Sequence, residues 1–249
     1  MTAVVAAGRR HLPRGYADLA RQAVIWFGFL AVYQLARGLA DRNPARAFAN
    51  GWSVISLEQR TTHHIFELTL QQLANSSRIL TDLVAWTYWN SEFTVVGLAL
   101  LWVYLRRNEA FTRFRNAILL ANVIGLIGYV LLPTAPPRYF PSMGFLDTLD
   151  SFGGLNHGSG IVNLAANPYA AMPSLHAADA LIVGIVLAGV VRRPVWKALW
   201  LVWPLWVWFA VMATGNHFWL DVLAGIVLAG IALLLVYRVR ARSLIARLL

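Results

Sequence analysis

Six stretches of this chain are long and apolar enough to cross a bilayer, and they constrain the fold before any motif is read. They fall at about 20–40, 80–105, 116–133, 174–191, 195–213 and 218–237; a membrane-spanning helix needs about 17–25 such residues. Hydrocarbon offers the backbone no hydrogen-bond partners, so each stretch must satisfy its own N–H and C=O groups, as a helix does. The pattern predicts an all-α integral membrane protein, a six-transmembrane-helix bundle with short interfacial helices and a long outer loop. The stretches take up most of the 249 residues, which predicts a single membrane domain over 1–249. Only 13% of the residues are charged, against about 25% in an average soluble domain. The first stretch follows basic residues, as the core of a signal peptide does. It carries Trp26, Tyr33, Gln34 and Arg37 without a small-residue cleavage site, and so reads as a retained span. Cysteine is absent, which excludes disulfides, thiolate metal sites and a cysteine nucleophile.

The net charge of +10 is distributed by topology. Fifteen of the 21 basic residues lie before span one, between spans two and three, between four and five, or after span six. The positive-inside rule then predicts cytoplasmic termini. Anionic-lipid contact is a secondary effect, and nucleic acid is not an expected partner. Arginine almost to the exclusion of lysine fits a GC-rich bacterial genome, hence a plasma membrane. Loops at about 41–79, 134–173 and 214–217 fall on the outer face. In the first, Phe48, Trp52 and Ile55, and again Phe66, Leu70 and Leu73, recur at helical spacing. They predict amphipathic interfacial helices that pack on the rim or gate a substrate. The second loop is rich in Pro and Gly but holds Tyr139, Phe140, Phe145 and Tyr169, which predicts an ordered cap.

Polar groups at the ends of such spans mark function. His217 and Asp221 share one helical face at i, i+4, so the carboxylate can hold one imidazole nitrogen and free the other. His176 opens span four, His217 opens span six, and Arg138 follows span three, all on the outer face. Spans four and six both present helix N-termini there, with Pro173 and Ser174 suited to the first turn and cap of span four. Two helix N-termini, a guanidinium and two imidazoles invite a phosphate.

Pro136-Pro137-Arg138, Pro173-Ser174-Leu175-His176 and His217-x-x-x-Asp221, each at a span boundary, resemble the type-2 phosphatidic acid phosphatase (PAP2) superfamily. The contexts Ala171–His176 and Thr214–His217 resemble its inositol phosphorylceramide synthase-like, inositolphosphotransferase branch. The resemblance covers a core at about 114–237, and covers the N-terminal span and outer helices at about 18–79 only by topology. It implies that His217 attacks phosphorus to form a phosphohistidine, that Asp221 orients and charge-stabilises that imidazole, and that His176 serves as acid and then base. Arg138 and the amides near Ser174 and Leu175 would hold the phosphoryl oxygens. The implied substrate is a phospholipid or lipid-linked phosphate in contact with membrane lipids, without metal or cofactor. The family's phosphatases usually carry a lysine where this chain has Leu131, and Ser-Arg where it has Ala210-Val211. Fewer cations suit a singly charged diester over a monoester, which favours head-group transfer over lipid-phosphate hydrolysis unless Arg60 or Arg78 restores the charge. A non-catalytic transporter or scaffold would instead show broken helices with polar midplane residues.

Other positions have two readings. Asp179 either tunes His176 or is satisfied by a neighbouring span; Asn216 either bonds within the site or caps span six. Asp147 and Asp150 read as turn formers before head-group ligands. His63-His64, His157 and His11 read as structural, Ser174 as cap and phosphate ligand, and the tryptophans of span five as interface anchors. Glu92 is a candidate support beneath the site.

Overall fold

The computed structural model describes residues 12–39, 43–149 and 167–245. Among these, nine α-helices follow one another: α1 (Gly15–Leu39), α2 (Pro44–Thr62), α3 (Phe66–Asn75), α4 (Arg78–Asn90), α5 (Val96–Arg106), α6 (Asn108–Leu131), α7 (Leu175–Val190), α8 (Pro194–Ala213) and α9 (Trp219–Ile245). A π turn at Ser91–Val95 joins α4 to α5, so the helical stretch expected at 80–105 is continuous but locally widened. Among the described residues the only β pairing is a parallel bridge between Thr134 and Ala170. Asp150, His157 and His11, with the middle of the long outer loop, lie outside the described residues.

Among the described residues, four helical segments are long and apolar enough to cross a membrane: Gly15–Gly38, Asn108–Leu131, Pro194–Ala213 and Trp219–Arg238. Helix α7, of 16 residues, is shorter, about 24 Å at 1.5 Å per residue. It is the central post. Apolar apart from His176 and Asp179 near its start, it is buried along almost its whole length and packs against α6, α8 and α9, as expected of a helix without an extended polar stripe. Helix α1 is peripheral and turns Val24, Phe27, Val32 and Leu35 outward, burying Tyr33.

Two expectations are corrected. The third span was expected from 116, but α6 begins at Asn108, so Arg113 and Arg115 lie inside the helix and Arg107 alone links it to α5. Hydropathy marks the hydrocarbon, whereas the helix continues into the head-group layer on long, snorkelling side chains. Arg113 does this by lying over the Tyr237 ring, 5.1 Å from its centroid. Helices α2 and α3 are present, but only part of each apolar stripe is buried (Ile55, with Phe48 and Leu70 partly so), and polar side chains share the buried faces. Helix α2 buries Ala47, Gly51, Val54, Ile55 and Glu58, and α3 buries Glu67, Gln71 and Ala74. Trp52, Leu57, Phe66 and Leu73 point outward, where lipid rather than water accounts for apolar side chains.

Candidate active site

Backbone hydrogen bonds tie the three motif segments together. Thr134 N–H donates to the Tyr169 carbonyl at 2.8 Å, joining the chain leaving α6 to the chain entering α7. Arg138 N–H donates to the Gly215 carbonyl at 2.9 Å, and Ser174 N–H to the Asp221 carbonyl at 3.0 Å. Two glycines permit this closeness. Gly215 has φ +70° and a Cβ there would lie 2.8 Å from the Leu146 carbonyl oxygen; at Gly225 a Cβ would lie 2.2 Å from that of Ser174.

His217 is buried immediately before α9. Its Nδ1 lies 2.9 Å from the Ala171 carbonyl oxygen and 3.6 Å from Asp221 Oδ2. A carbonyl only accepts, so Nδ1 carries the hydrogen and the Nε2 lone pair is free. Burial lowers the imidazole's pKa to about 3 against the opposing pull of the Ala171 hydrogen bond, and the Arg138 charge acts in the same direction as burial. The ring is therefore a neutral base at physiological pH. Asp221 sits beyond hydrogen-bond range of it and instead accepts from Phe218 N–H at 2.8 Å, capping α9.

The His176 ring lies 5.6 Å from that of His217, centroid to centroid, and stacks on Tyr88 at 4.5 Å. Its Nε2 is 3.3 Å from Glu92 Oε2. Tyr88 and Glu92 come from α4 and the π turn that follows it, and such turns recur at functional sites. Glu92 thus sits directly behind His176. Arg138, in a 3₁₀ turn at Pro137–Tyr139, donates from Nη1 to Asn216 Oδ1 and lies 3.5 Å by Nε from Asp147 Oδ2. Asn216 also donates to the Thr214 hydroxyl at 3.0 Å, so it steadies the guanidinium rather than capping α9. Asp147 accepts from Leu149 N–H at 3.1 Å, as a turn former does, and also pairs with Arg138, a partner not foreseen.

Other sequence candidates fall differently. Asp179 accepts from Asn122 Nδ2 through both oxygens at 3.1 Å, so a neighbouring helix satisfies it. Ser174 caps α7 through Ala177 N–H at 3.3 Å, with Pro173 just before the cap and not in the first turn. The Ser174 amide is committed to Asp221, which leaves the Leu175 and His176 amides as the first-turn donors without a carbonyl one turn back. At the α9 N-terminus carboxylates occupy the Phe218, Trp219 and Leu220 amides. Leu131 is 65% exposed, on the outside of the bundle, and Ala210 and Val211 are buried among apolar neighbours. Arg60 and Arg78 are exposed. Arg37, at the end of α1, lies 6.0 Å from the Tyr129 ring centroid, and its charge is felt at His217. His63 ends α2 with φ 54°, and His64 bonds Thr69 at 2.9 Å. Ala171, Tyr88, Glu58 and Glu67 were not foreseen. A usable signal existed for the last two: the chain has only four glutamates, and three of them (Glu58, Glu67 and Glu92) are buried.

Fold and site together define an all-helical protein with membrane-length apolar helices and a centre of two histidines and an arginine between the end of α6 and the starts of α7 and α9. Residues 52–235 match the PAP2 superfamily, and the chain belongs to it. It is similar to a phosphoinositol dihydroceramide synthase of Bacteroides thetaiotaomicron, with 31% identity over 137 residues, 49% of this chain and 44% of the relative. The chain therefore spans less than half the length of that relative. The crystal structure of Aquifex aeolicus LpxE shares the fold at a TM-score of 0.52 and 19% identity, over 69% of this chain and 94% of that one.

Proposed function

We propose that the chain is a membrane enzyme that transfers the phosphoryl head group of a phospholipid, of the inositol-phosphate type, through a covalent intermediate on His217. The observation that carries this is the fixed tautomer of His217, whose free Nε2 belongs to a ring 5.6 Å from that of His176, with Arg138 held nearby by Asn216. Nε2 attacks phosphorus, the P–O bond to the diacylglycerol breaks, and the departing oxygen takes the proton of His176. An acceptor hydroxyl, of ceramide type by analogy with the synthase relative, then yields its proton to His176 as its oxygen displaces His217. Arg138 and the amides opening α7 stabilise the equatorial oxygens. Asp221 and Glu92 supply negative charge to the two rings as each becomes cationic. Water as acceptor converts the same cycle into hydrolysis. The empty cation positions at Leu131 and Ala210-Val211 favour a diester over a monoester substrate.

The lipid assignment has support from an apolar groove of about 580 Å³ beside the site, lined by Val54, Leu57, Met172, Leu220, Leu223 and Ala224 among others. Met172 and Leu220 flank the residues that hold His217, so an acyl chain lying there brings its phosphate to the imidazole. The topology that suits this reading has six crossings, α4–α5 and α7 completing the four longer helices, with cytoplasmic termini and an outward-facing site in a plasma membrane. The test is a single assay with labelled phosphatidylinositol, with and without dihydroceramide, run beside phosphatidic acid. Faster turnover of phosphatidic acid would replace the transferase reading with a phosphatase.

A further inference from the structure

Outside the three motifs, two glutamates hold the helix that follows His217. Glu67, the second residue of α3, accepts from Trp219 N–H at 2.5 Å, and Glu58, near the end of α2, accepts from Leu220 N–H at 3.1 Å. Both are 0% exposed. With Phe218 N–H on Asp221, the three N–H groups that follow His217 each have a carboxylate. A helix start usually leaves these donors to water or to one capping side chain. Three buried carboxyls are an expensive way to cap a helix, and each keeps one buried oxygen without a partner: Glu58 Oε2, Glu67 Oε2 and Asp221 Oδ1.

The cost makes sense if the bonds serve the residue they adjoin. The α2–α3 pair is otherwise a rim element with Trp52, Leu57, Phe66 and Leu73 turned outward. Its other inward polar contacts, from Asn50 and Gln71, go to the loop after α6, whereas Glu58 and Glu67 reach across more than 150 positions of sequence to the first turn of α9. We propose that Glu58 and Glu67 are positioning residues for His217, pinning the start of α9 so that the imidazole stays against the Ala171 carbonyl. The inference rests on His217 as the nucleophile. Three like charges this close and this buried do not all ionise. Burial, then the neighbouring Glu67, raises Glu58 to about 9, and burial raises Glu67 to about 7.

The test uses the full chain in detergent with phosphatidylinositol as probe. Glu58→Leu and Glu67→Leu remove the acceptors, whereas Glu58→Gln and Glu67→Gln keep an oxygen that accepts the same N–H. The expected result is a fall in kcat of about 10- to 100-fold in the leucine variants, with KM within about twofold and most of the turnover restored in the glutamine variants. Leucine variants that turn over like the wild type would overturn the proposal. So would a kcat loss that tracks a lower unfolding temperature and is not rescued by glutamine, the mark of a purely structural cap. His217→Ala is run alongside: turnover retained there defeats the nucleophile assignment itself and is read separately.

Discussion

The imidazole of His217 is closer to a backbone carbonyl than to the aspartate of its own motif: Nδ1 lies 2.9 Å from Ala171 O and 3.6 Å from Asp221 Oδ2. The carbonyl sets the tautomer, and the aspartate acts as a nearby charge and as the cap of α9. In this arrangement the chain entering α7 holds the imidazole of His217, and the His-x-x-x-Asp spacing owes as much to helix capping as to the imidazole.

Substitutions at Asp221 should separate these two roles. Asp221→Asn keeps an oxygen for Phe218 N–H and should lose about tenfold in turnover with little change in stability. Asp221→Ala removes the cap as well and should lower stability by about 1 kcal/mol more. Turnover and thermal unfolding in detergent read the two effects. Equal unfolding temperatures for the two variants would show that the capping bond contributes nothing.

Stability should fall on both sides of mildly acidic pH, for different reasons. His217 is lowered from 6.5 to about 3, so the unfolded chain binds its proton first and stability is lost as pH falls from about 6.5 toward 3. Glu58 and Glu67 are raised from 4.5 to about 9 and about 7, so their contribution is complete below about 4.5 and is lost as pH rises through those values. Unfolding temperature against pH should therefore lose its alkaline arm in Glu58→Gln/Glu67→Gln and part of its acid arm in His217→Gln. Unchanged arms in both variants would contradict these assignments.

Filling the groove should penalise acyl chains selectively. Ala224→Trp places an indole in the space between α2 and α9. It should raise KM for a long-chain phosphatidylinositol by about tenfold, roughly the 1.4 kcal/mol of one or two methylenes' burial. A short-chain, soluble analogue should be affected within about twofold. Equal effects on both substrates would remove the groove from the binding site.

Gly225→Ala should damage the site through packing. The new Cβ would lie 2.2 Å from the Ser174 carbonyl oxygen, which lies at the junction of α7 and α9. The expected cost is about 1–3 kcal/mol of stability, typical of overpacking, with reduced turnover because the Ser174–Asp221 backbone bond stretches. An unfolding temperature equal to that of the wild type would show that the two helices separate freely.

Much of the site was legible in the sequence because this chain has so few polar residues to place. His176, His217, Arg138 and Asn216 stand at the ends of apolar stretches, and the structure gathers them. The faces of α2 and α3 were not legible for a reason specific to membranes. Apolar periodicity points to the core only when the outside is water, and beside lipid Phe66 and Leu73 point outward while Glu67 and Gln71 are buried. Ala171 was invisible because its contribution is a carbonyl oxygen, which every residue carries. The π turn that aims Glu92 likewise has no side-chain signature in Ser91–Val95.

The central claim is a covalent intermediate on His217, and its most direct test is the mass of the enzyme after a rapid quench with phosphatidylinositol and no acceptor. The prediction is an inositol-phosphoryl adduct mapped to the peptide containing His217, absent from His217→Ala and discharged when dihydroceramide is added. An adduct on any other residue, or full turnover in His217→Ala without an adduct, would contradict it.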